Sequence, residues 1–124
     1  MNLPKDLKYT KDHIWLDIDG NEATVGITDY AQEELGEILF VDLPEMGGVY
    51  AAGDIFCEIE SSKTAQALSL PFGFTVFEQN EELYDSPELL NEDAYANCIA
   101  NIIIVGDAEG LLSWEEYEAI ISEE

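Results

Sequence analysis

Hydrophobic and polar residues alternate in short runs along most of the chain, and glycine or proline separates one run from the next. This pattern predicts a small β-rich domain with a few short helices. The link Asp19-Gly20-Asn21 is typical of a tight hairpin, because both positions of an Asp-Gly turn tolerate positive φ. The predicted strands are Ile14–Ile18, Ala23–Ile27, Ile38–Leu43, Ile55–Glu60, Ala65–Leu70, Phe74–Glu78 and Ile99–Val105.

The run Ile38–Leu43 is mostly apolar on both of its alternating faces. That composition predicts a strand that is buried on both sides.

Three segments carry the start signals of helices. A short helix is expected over Asp29–Leu35, with Thr28 as N-cap and Gly36 at its C-terminus. A second is expected over Pro87–Asn91, because Ser86 can cap it and proline suits the first helical position.

The third helix is expected near the C-terminus, over Ser113–Ser122. Ser113 and Glu116 are spaced as a capping box. The apolar residues of this segment recur on one face of a helix, which we expect to belong to the core. They are Trp114, Tyr117, Ile120 and Ile121.

The 124 residues include 47% hydrophobic residues and 13 aromatic ones, so residues 1–124 are expected to fold as one domain.

The chain is strongly acidic, because four lysines and no arginine stand against 28 acids, a formal net charge of −24. Lys5, Lys8 and Lys11 lie at the N-terminus, and Lys63 is the one base that follows them. This charge excludes nucleic acids and anionic membranes as partners and favours basic proteins.

Few residues suggest independent catalysis. Cys57 and Cys98 are expected to be reduced, partly buried thiols. His13 is the one histidine, which argues against a histidine-rich metal site, and no phosphate-binding glycine loop is present. The first eleven residues lack the apolar stretch of a signal peptide, and the longest apolar run has four residues.

Lys63 is the candidate for chemistry. It falls where two alternating runs must reverse direction, so it is expected to lie exposed at a hairpin tip among small residues. The ε-amine of such a lysine can form an amide with a carboxylic cofactor. An ordinary solvated turn lysine is equally compatible with the spacing.

Longer motifs, in order and in register over nearly the whole chain, resemble the glycine cleavage H-protein family. They are Tyr9-Thr10-Lys11-x-His13-x-Trp15, Ala23-Thr24-Val25-Gly26-Ile27-Thr28-Asp29-Tyr30-Ala31-Gln32-Glu33, Leu35-Gly36-Glu37-Ile38, Phe40-Val41-Asp42-Leu43-Pro44-Glu45, Glu60-Ser61-Ser62-Lys63, Ser86-Pro87-Glu88-Leu89-Leu90-Asn91 and Glu116-Tyr117-Glu118-Ala119.

The resemblance implies a mainly β, lipoyl-domain-like barrel-sandwich hybrid of two small antiparallel sheets with a few short peripheral helices. It also implies that Lys63 carries lipoate, covalently attached, and that the hairpin residues around the lysine are recognised during attachment. Those residues are Glu60, Ser61, Ser62 and Thr64. Related biotin carriers place methionine on both sides of their lysine, so biotin is disfavoured here.

The implied function is that of a non-enzymatic carrier. The lipoyl-lysine would shuttle the aminomethyl group of glycine from a pyridoxal-phosphate glycine decarboxylase to a folate-dependent aminomethyltransferase. A dihydrolipoyl dehydrogenase would then reoxidise the dithiol. A lipoate ligase or lipoyl transferase would load the carrier, which is expected to be monomeric. The bacterial cytoplasm is the expected location; a mitochondrial matrix would require the removal of a transit peptide.

Two departures from the family pattern concern charge. Ile14 and Ala67 stand where the family carries acids that help to hold the charged aminomethyl-lipoyl arm. A buried ammonium without a carboxylate partner is costly. Two alternatives are therefore kept. One is a related lipoyl carrier of another pathway, such as sulfur oxidation or redox signalling. The other is an interaction protein whose Lys63 is never modified.

Overall fold

A computed structural model describes residues 2–123, which form nine strands and four helices in a mainly β arrangement. The strands are β1 (Lys8–Tyr9), β2 (Ile14–Asp19), β3 (Glu22–Ile27), β4 (Ile38–Asp42), β5 (Val49–Tyr50), β6 (Ile55–Ser61), β7 (Ala65–Ser69), β8 (Gly73–Gln79) and β9 (Ala100–Val105). The helices are α1 (Asp29–Leu35), α2 (Glu82–Asp85), α3 (Leu89–Glu92) and α4 (Trp114–Ser122). None of these helices has the length and hydropathy needed to cross a membrane.

Two antiparallel sheets enclose the main core. The larger has six strands in the order β1-β2-β3-β9-β8-β5, and the smaller has three in the order β4-β6-β7. Apolar side chains from both sheets form one buried cluster, which includes Ile14, Val41, Ile59, Phe74 and Ile102. The predicted fold, two small antiparallel sheets with short peripheral helices, is confirmed.

The first and last predicted helices are confirmed together with their caps. The Thr28 hydroxyl accepts a hydrogen bond from Ala31 N, and Gly36 ends α1 with a φ of 77°. In α4, Ser113 and Glu116 form both hydrogen bonds of the capping box. Capping satisfies helix-end donors with side chains only three residues away, so these boundaries can be read from local sequence.

The helix predicted over Pro87–Asn91 is present, but its predicted start and cap are wrong. Helix α3 begins at Leu89, and its N-cap, Glu88, makes no side-chain capping bond. Ser86 instead ends α2, because its amide donates to Glu82 O at 2.8 Å. Helix α2 was not predicted, and it ends at the serine that was expected to begin the next helix.

The prediction that Ile38–Leu43 is buried on both faces is also wrong. The pairing of β4 with β6 shifts register between Ile38 and Phe40, so Leu39 is an extra residue. Leu39 and Phe40 are both exposed, whereas Ile38 and Val41 are fully buried. Such a bulge turns two successive side chains away from regular alternation.

A second, aromatic cluster fixes α4 to the larger sheet. Tyr117 is fully buried and stacks on Tyr9 with ring centroids 4.8 Å apart. Its hydroxyl lies 2.8 Å from His13 Nδ1 and 2.7 Å from Thr28 Oγ1. The prediction that Tyr117 belongs to the core is therefore confirmed. Trp114, Ile120 and Ile121 are only partly buried.

Candidate functional site

Lys63 lies at the tip of the hairpin between β6 and β7 and is exposed to solvent, as predicted. The strands pair through Glu60 and Ala65, and the Ser61 amide donates to Thr64 O at 2.8 Å. The chain thus reverses over four residues, and the lysine occupies one of the two central positions.

The Ser61 side chain holds this turn. Its Oγ accepts from Lys63 N at 3.2 Å and from Thr64 N at 3.1 Å. The same hydroxyl donates to Thr64 O at 3.1 Å. Ser61 is therefore committed to the shape of the tip, whereas Ser62 and Thr64 are exposed on either side of the lysine.

The tip rests on the loop that follows α1. Ser62 N donates to Glu37 O at 3.0 Å. The Lys63 side chain lies across Gly36, since a Cβ built on that glycine would stand 3.2 Å from Lys63 Cε and 3.6 Å from Nζ. Gly36 thus serves twice, because it adopts the positive φ that ends the helix and leaves room for the lysine methylenes.

Asn91, at the third position of α3, holds this loop in place. Its Oδ1 accepts from Ile38 N at 2.9 Å, and its Nδ2 donates to Gly36 O at 2.7 Å and to Gln32 Oε1 at 3.0 Å. No role was predicted for Asn91 from the sequence. Its position at the end of the family motif Ser86-Pro87-Glu88-Leu89-Leu90-Asn91 is the signal that could have marked it.

Acidic side chains surround the hairpin. Glu37 and Glu60 are exposed beside the tip, and an open recess of about 470 Å³ beside Glu37 is also lined by Glu88, Asn91 and Glu92. Within residues 2–123, no cluster of three or more His, Cys, Asp or Glu side chains is arranged to hold a metal ion. The exposed acids around the hairpin suit a basic protein surface.

The two positions that lack the expected acids lie in different environments. Ile14 is fully buried in the main core, whereas Ala67 is exposed on β7, opposite Glu58. An acid at Ala67 would be solvated. An acid at Ile14 would have to displace core packing, and an unpaired buried carboxylate is costly.

The thiols take no part in the site. Burial, followed by the negative charges of Asp42 and Glu58, raises the pKa of the Cys57 thiol far above its ordinary value. Burial also raises the pKa of Cys98. Because the thiolate is the reactive form, both cysteines are expected to be poor nucleophiles.

These observations define a class of protein. In a fold of two antiparallel sheets, a lysine held by a tight turn at a hairpin tip of the smaller sheet, over a glycine that makes room for its methylenes, is the arrangement of a lipoyl-carrier domain. The site presents one exposed amine, on a hydrogen-bonded turn, to whatever enzyme approaches the hairpin.

Comparison with known proteins agrees with this class. The family model described as "Glycine cleavage H-protein" matches residues 7–124. Glycine cleavage system H proteins of Geobacillus kaustophilus and Alkaliphilus oremlandii are 45% and 49% identical to the chain. The alignments cover 99% of the chain and 99% of the first relative, and 95% of the chain and 94% of the second.

A solved structure agrees as well. The crystal structure of a glycine cleavage system H protein from Mycobacterium marinum superposes with a TM-score of 0.88 at 35% identity. It covers 97% of this chain and 99% of its own.

The chain belongs to the glycine cleavage H-protein family. Members of this family are lipoyl carriers that bear the group on a lysine and work with the other components of glycine cleavage. The function predicted from the resemblance, a carrier in that system, is confirmed at the level of the family.

Proposed function

We propose that Lys63 is the lipoyl attachment site of this carrier. The observation that carries the proposal is the placement of the lysine, which is exposed at the tip while its methylenes lie over Gly36. Lys5, Lys8 and Lys11, the other bases, lie on or beside the short edge strand β1 and have no comparable hairpin support.

Attachment requires the unprotonated Nζ of Lys63 to act as a nucleophile. The nitrogen attacks the carboxyl carbon of an activated lipoyl group, such as an acyl adenylate, and a C–N amide bond forms. The C–O bond to the activating group breaks, that group leaves, and the nitrogen releases a proton. Glu60, Ser61, Ser62 and Thr64 contribute the shape of the hairpin that the attaching enzyme recognises, with Ser61 fixing the turn.

The proposed role is transfer of the aminomethyl group of glycine among three enzymes. These are a pyridoxal-phosphate glycine decarboxylase, a folate-dependent aminomethyltransferase and a dihydrolipoyl dehydrogenase. The disulfide of the bound cofactor supplies the redox and group-carrying chemistry. This chain's own residues supply a support for the arm and an acidic surface, so the proposal assigns it no catalysis. Its many bacterial relatives favour a bacterial cytoplasm, and the high charge favours a monomer.

The attachment site can be tested with purified components. The unmodified protein is incubated with a lipoate ligase, lipoate and ATP, and the modified residue is located by peptide mass spectrometry. Wild-type protein should gain one lipoyl group at Lys63, and Lys63→Arg should gain none. A variant with Lys5, Lys8 and Lys11 all changed to arginine should be modified normally. Modification at any of those three in the wild type would contradict the assignment.

A second candidate function, lipoyl transfer in another pathway, is favoured by one observation. Ala67 and the buried Ile14 leave these two positions without carboxylates for a charged arm. If glycine is the substrate, Ala67→Asp should raise the rate of glycine decarboxylation with the lipoylated protein. Ile14→Glu is not a suitable test, because it places a carboxylate in the core. A wild-type rate near zero that Ala67→Asp leaves unchanged would favour the second candidate.

A further inference from the structure

The outer face of the three-stranded sheet leads directly to the Lys63 hairpin. Paired residues in neighbouring strands share a face. One row crosses the sheet from Phe40 to Glu60, and the next crosses it from Asp42 to Glu58. All four side chains are exposed. With Leu39, they form a surface that we call the β4 face.

The centre of the β4 face is apolar because of the bulge. Leu39 is 55% exposed and Phe40 is 46% exposed. In a regular strand, one of two successive residues points inward. Here the register shift between Ile38 and Phe40 leaves both in solvent. Bulges often re-aim side chains next to functional sites.

The β4 face is close enough to Lys63 to be covered by the same partner. Phe40 is opposite Glu60, three residues before the lysine. At about 3.3 Å per residue and about 4.8 Å between strands, the backbone distance from Phe40 to the tip is about 11 Å. A standard interface covers about 800 Å² per partner, a disc of about 16 Å radius. An enzyme centred on the tip would therefore reach Phe40.

Charge indicates what kind of surface covers this face. Its rim carries Asp42, Glu58 and Glu60, and Lys63 is the one base in residues 12–124. A second copy of the chain, with the same net charge of −24, would bring like charges together. A protein with an apolar pocket ringed by lysine or arginine fits both the centre and the rim.

We infer that Leu39 and Phe40 are the apolar anchor of the docking surface for the enzyme that acylates Lys63. Asp42, Glu58 and Glu60 form its charged rim. This inference rests on the proposed function, since it requires Lys63 to be acylated. Recognition thus extends from the hairpin onto β4. The side chains of β4 contact the enzyme but do not touch the reacting atoms.

Steady-state kinetics of lipoylation test the inference. A purified lipoate ligase is used with lipoate, ATP and the unmodified wild type, Phe40→Ser or Leu39→Ser. Phe77→Ser is the matched control. Phe77 is 42% exposed and also lies at a register shift, but it belongs to β8 of the other sheet. Thermal unfolding and sedimentation of each variant report folding and oligomeric state.

Truncating an anchor residue should raise the KM for the carrier about tenfold with kcat little changed, because hot-spot side chains dominate interface energies. Phe77→Ser should change KM less than twofold. If Phe40→Ser fails to fold, Leu39→Ser decides the question.

The inference is overturned if KM is unchanged in the folded anchor variants, or if Phe77→Ser raises KM equally. It is also overturned if the wild type is a dimer that Phe40→Ser dissociates. A wild type that takes up no lipoate would instead contradict the proposed function.

Discussion

Replacing Asn91 by alanine tests how the Lys63 hairpin is supported. The change removes three side-chain hydrogen bonds, which join Asn91 to Ile38 N, Gly36 O and Gln32 Oε1 at 2.7–3.0 Å. Two of the three hold the loop whose Glu37 carbonyl accepts from Ser62 N. The loss should therefore affect both the stability of the fold and the order of the hairpin tip.

The size of the effect follows from hydrogen-bond energetics. A typical bond contributes about 0.5–1.5 kcal/mol net, and these three are partly buried. A total loss of about 2–3 kcal/mol is expected. The entropy of unfolding is about 2.1 cal/mol/K per residue, or about 0.26 kcal/mol/K for this chain. The melting temperature should fall by about 8–12 °C.

Two measurements and two controls complete the test. Thermal unfolding gives the change in stability, and amide hydrogen exchange at Ile38 and Ser62 reports the loop and the tip. Asn91→Asp keeps the acceptor for Ile38 N but loses both donors, so it should also be destabilising. Asn21→Ala, at an exposed turn position, should shift the melting temperature by less than about 2 °C. A shift that small for Asn91→Ala, or unchanged Ser62 exchange, would refute the reasoning.

Three further predictions concern the scaffold. Gly26→Ala should lower stability by about 1–3 kcal/mol in denaturant titration, because its Cβ would stand 2.6 Å from the buried Trp15 ring; a loss below 0.5 kcal/mol would contradict the packing argument. Tyr117→Phe should cost about 1–3 kcal/mol by the same titration, because its buried hydroxyl takes part in two short hydrogen bonds, and an unchanged midpoint would count against it. Burial raises the pKa of the Cys57 thiol and raises the pKa of Tyr95 to about 12, so both stay protonated in the folded chain when the unfolded chain releases its protons. This stabilisation is fully present below about pH 8, where the unfolded thiol and phenol are still protonated, and is lost as pH rises, so the melting temperature should fall between pH 8 and 11, and a constant value would contradict the prediction.

Features that depend on near neighbours could be read from the sequence. Thr28 and Gly36 bound α1 as predicted, and Ser113 with Glu116 begins α4. The turn that exposes Lys63 was likewise placed correctly, since the small polar residues around it satisfy its backbone groups locally. In each case the stabilising bonds span four residues or fewer, so the local sequence is sufficient.

Features that depend on register and distant contacts could not be read in this way. The apolar run in β4 predicted burial on both sides, but a one-residue shift against β6 exposes Leu39 and Phe40. Ser86 carried a helix-start signal, yet the preceding helix α2 uses it as an end. Asn91 reaches Ile38 across 53 residues, and no local pattern reports such a bond.

The sequence by itself determined a β-rich domain, a hairpin lysine in an acidic chain and, through its motifs, a carrier family. Tertiary structure alone decided that Gly36 lies beneath Lys63, that Asn91 holds the loop, and that the β4 face is open to solvent. The physical reason is the separation along the chain between the residues that interact. Turns and caps are stabilised within a few residues, whereas sheet register and loop support depend on which distant segments meet when the core is buried.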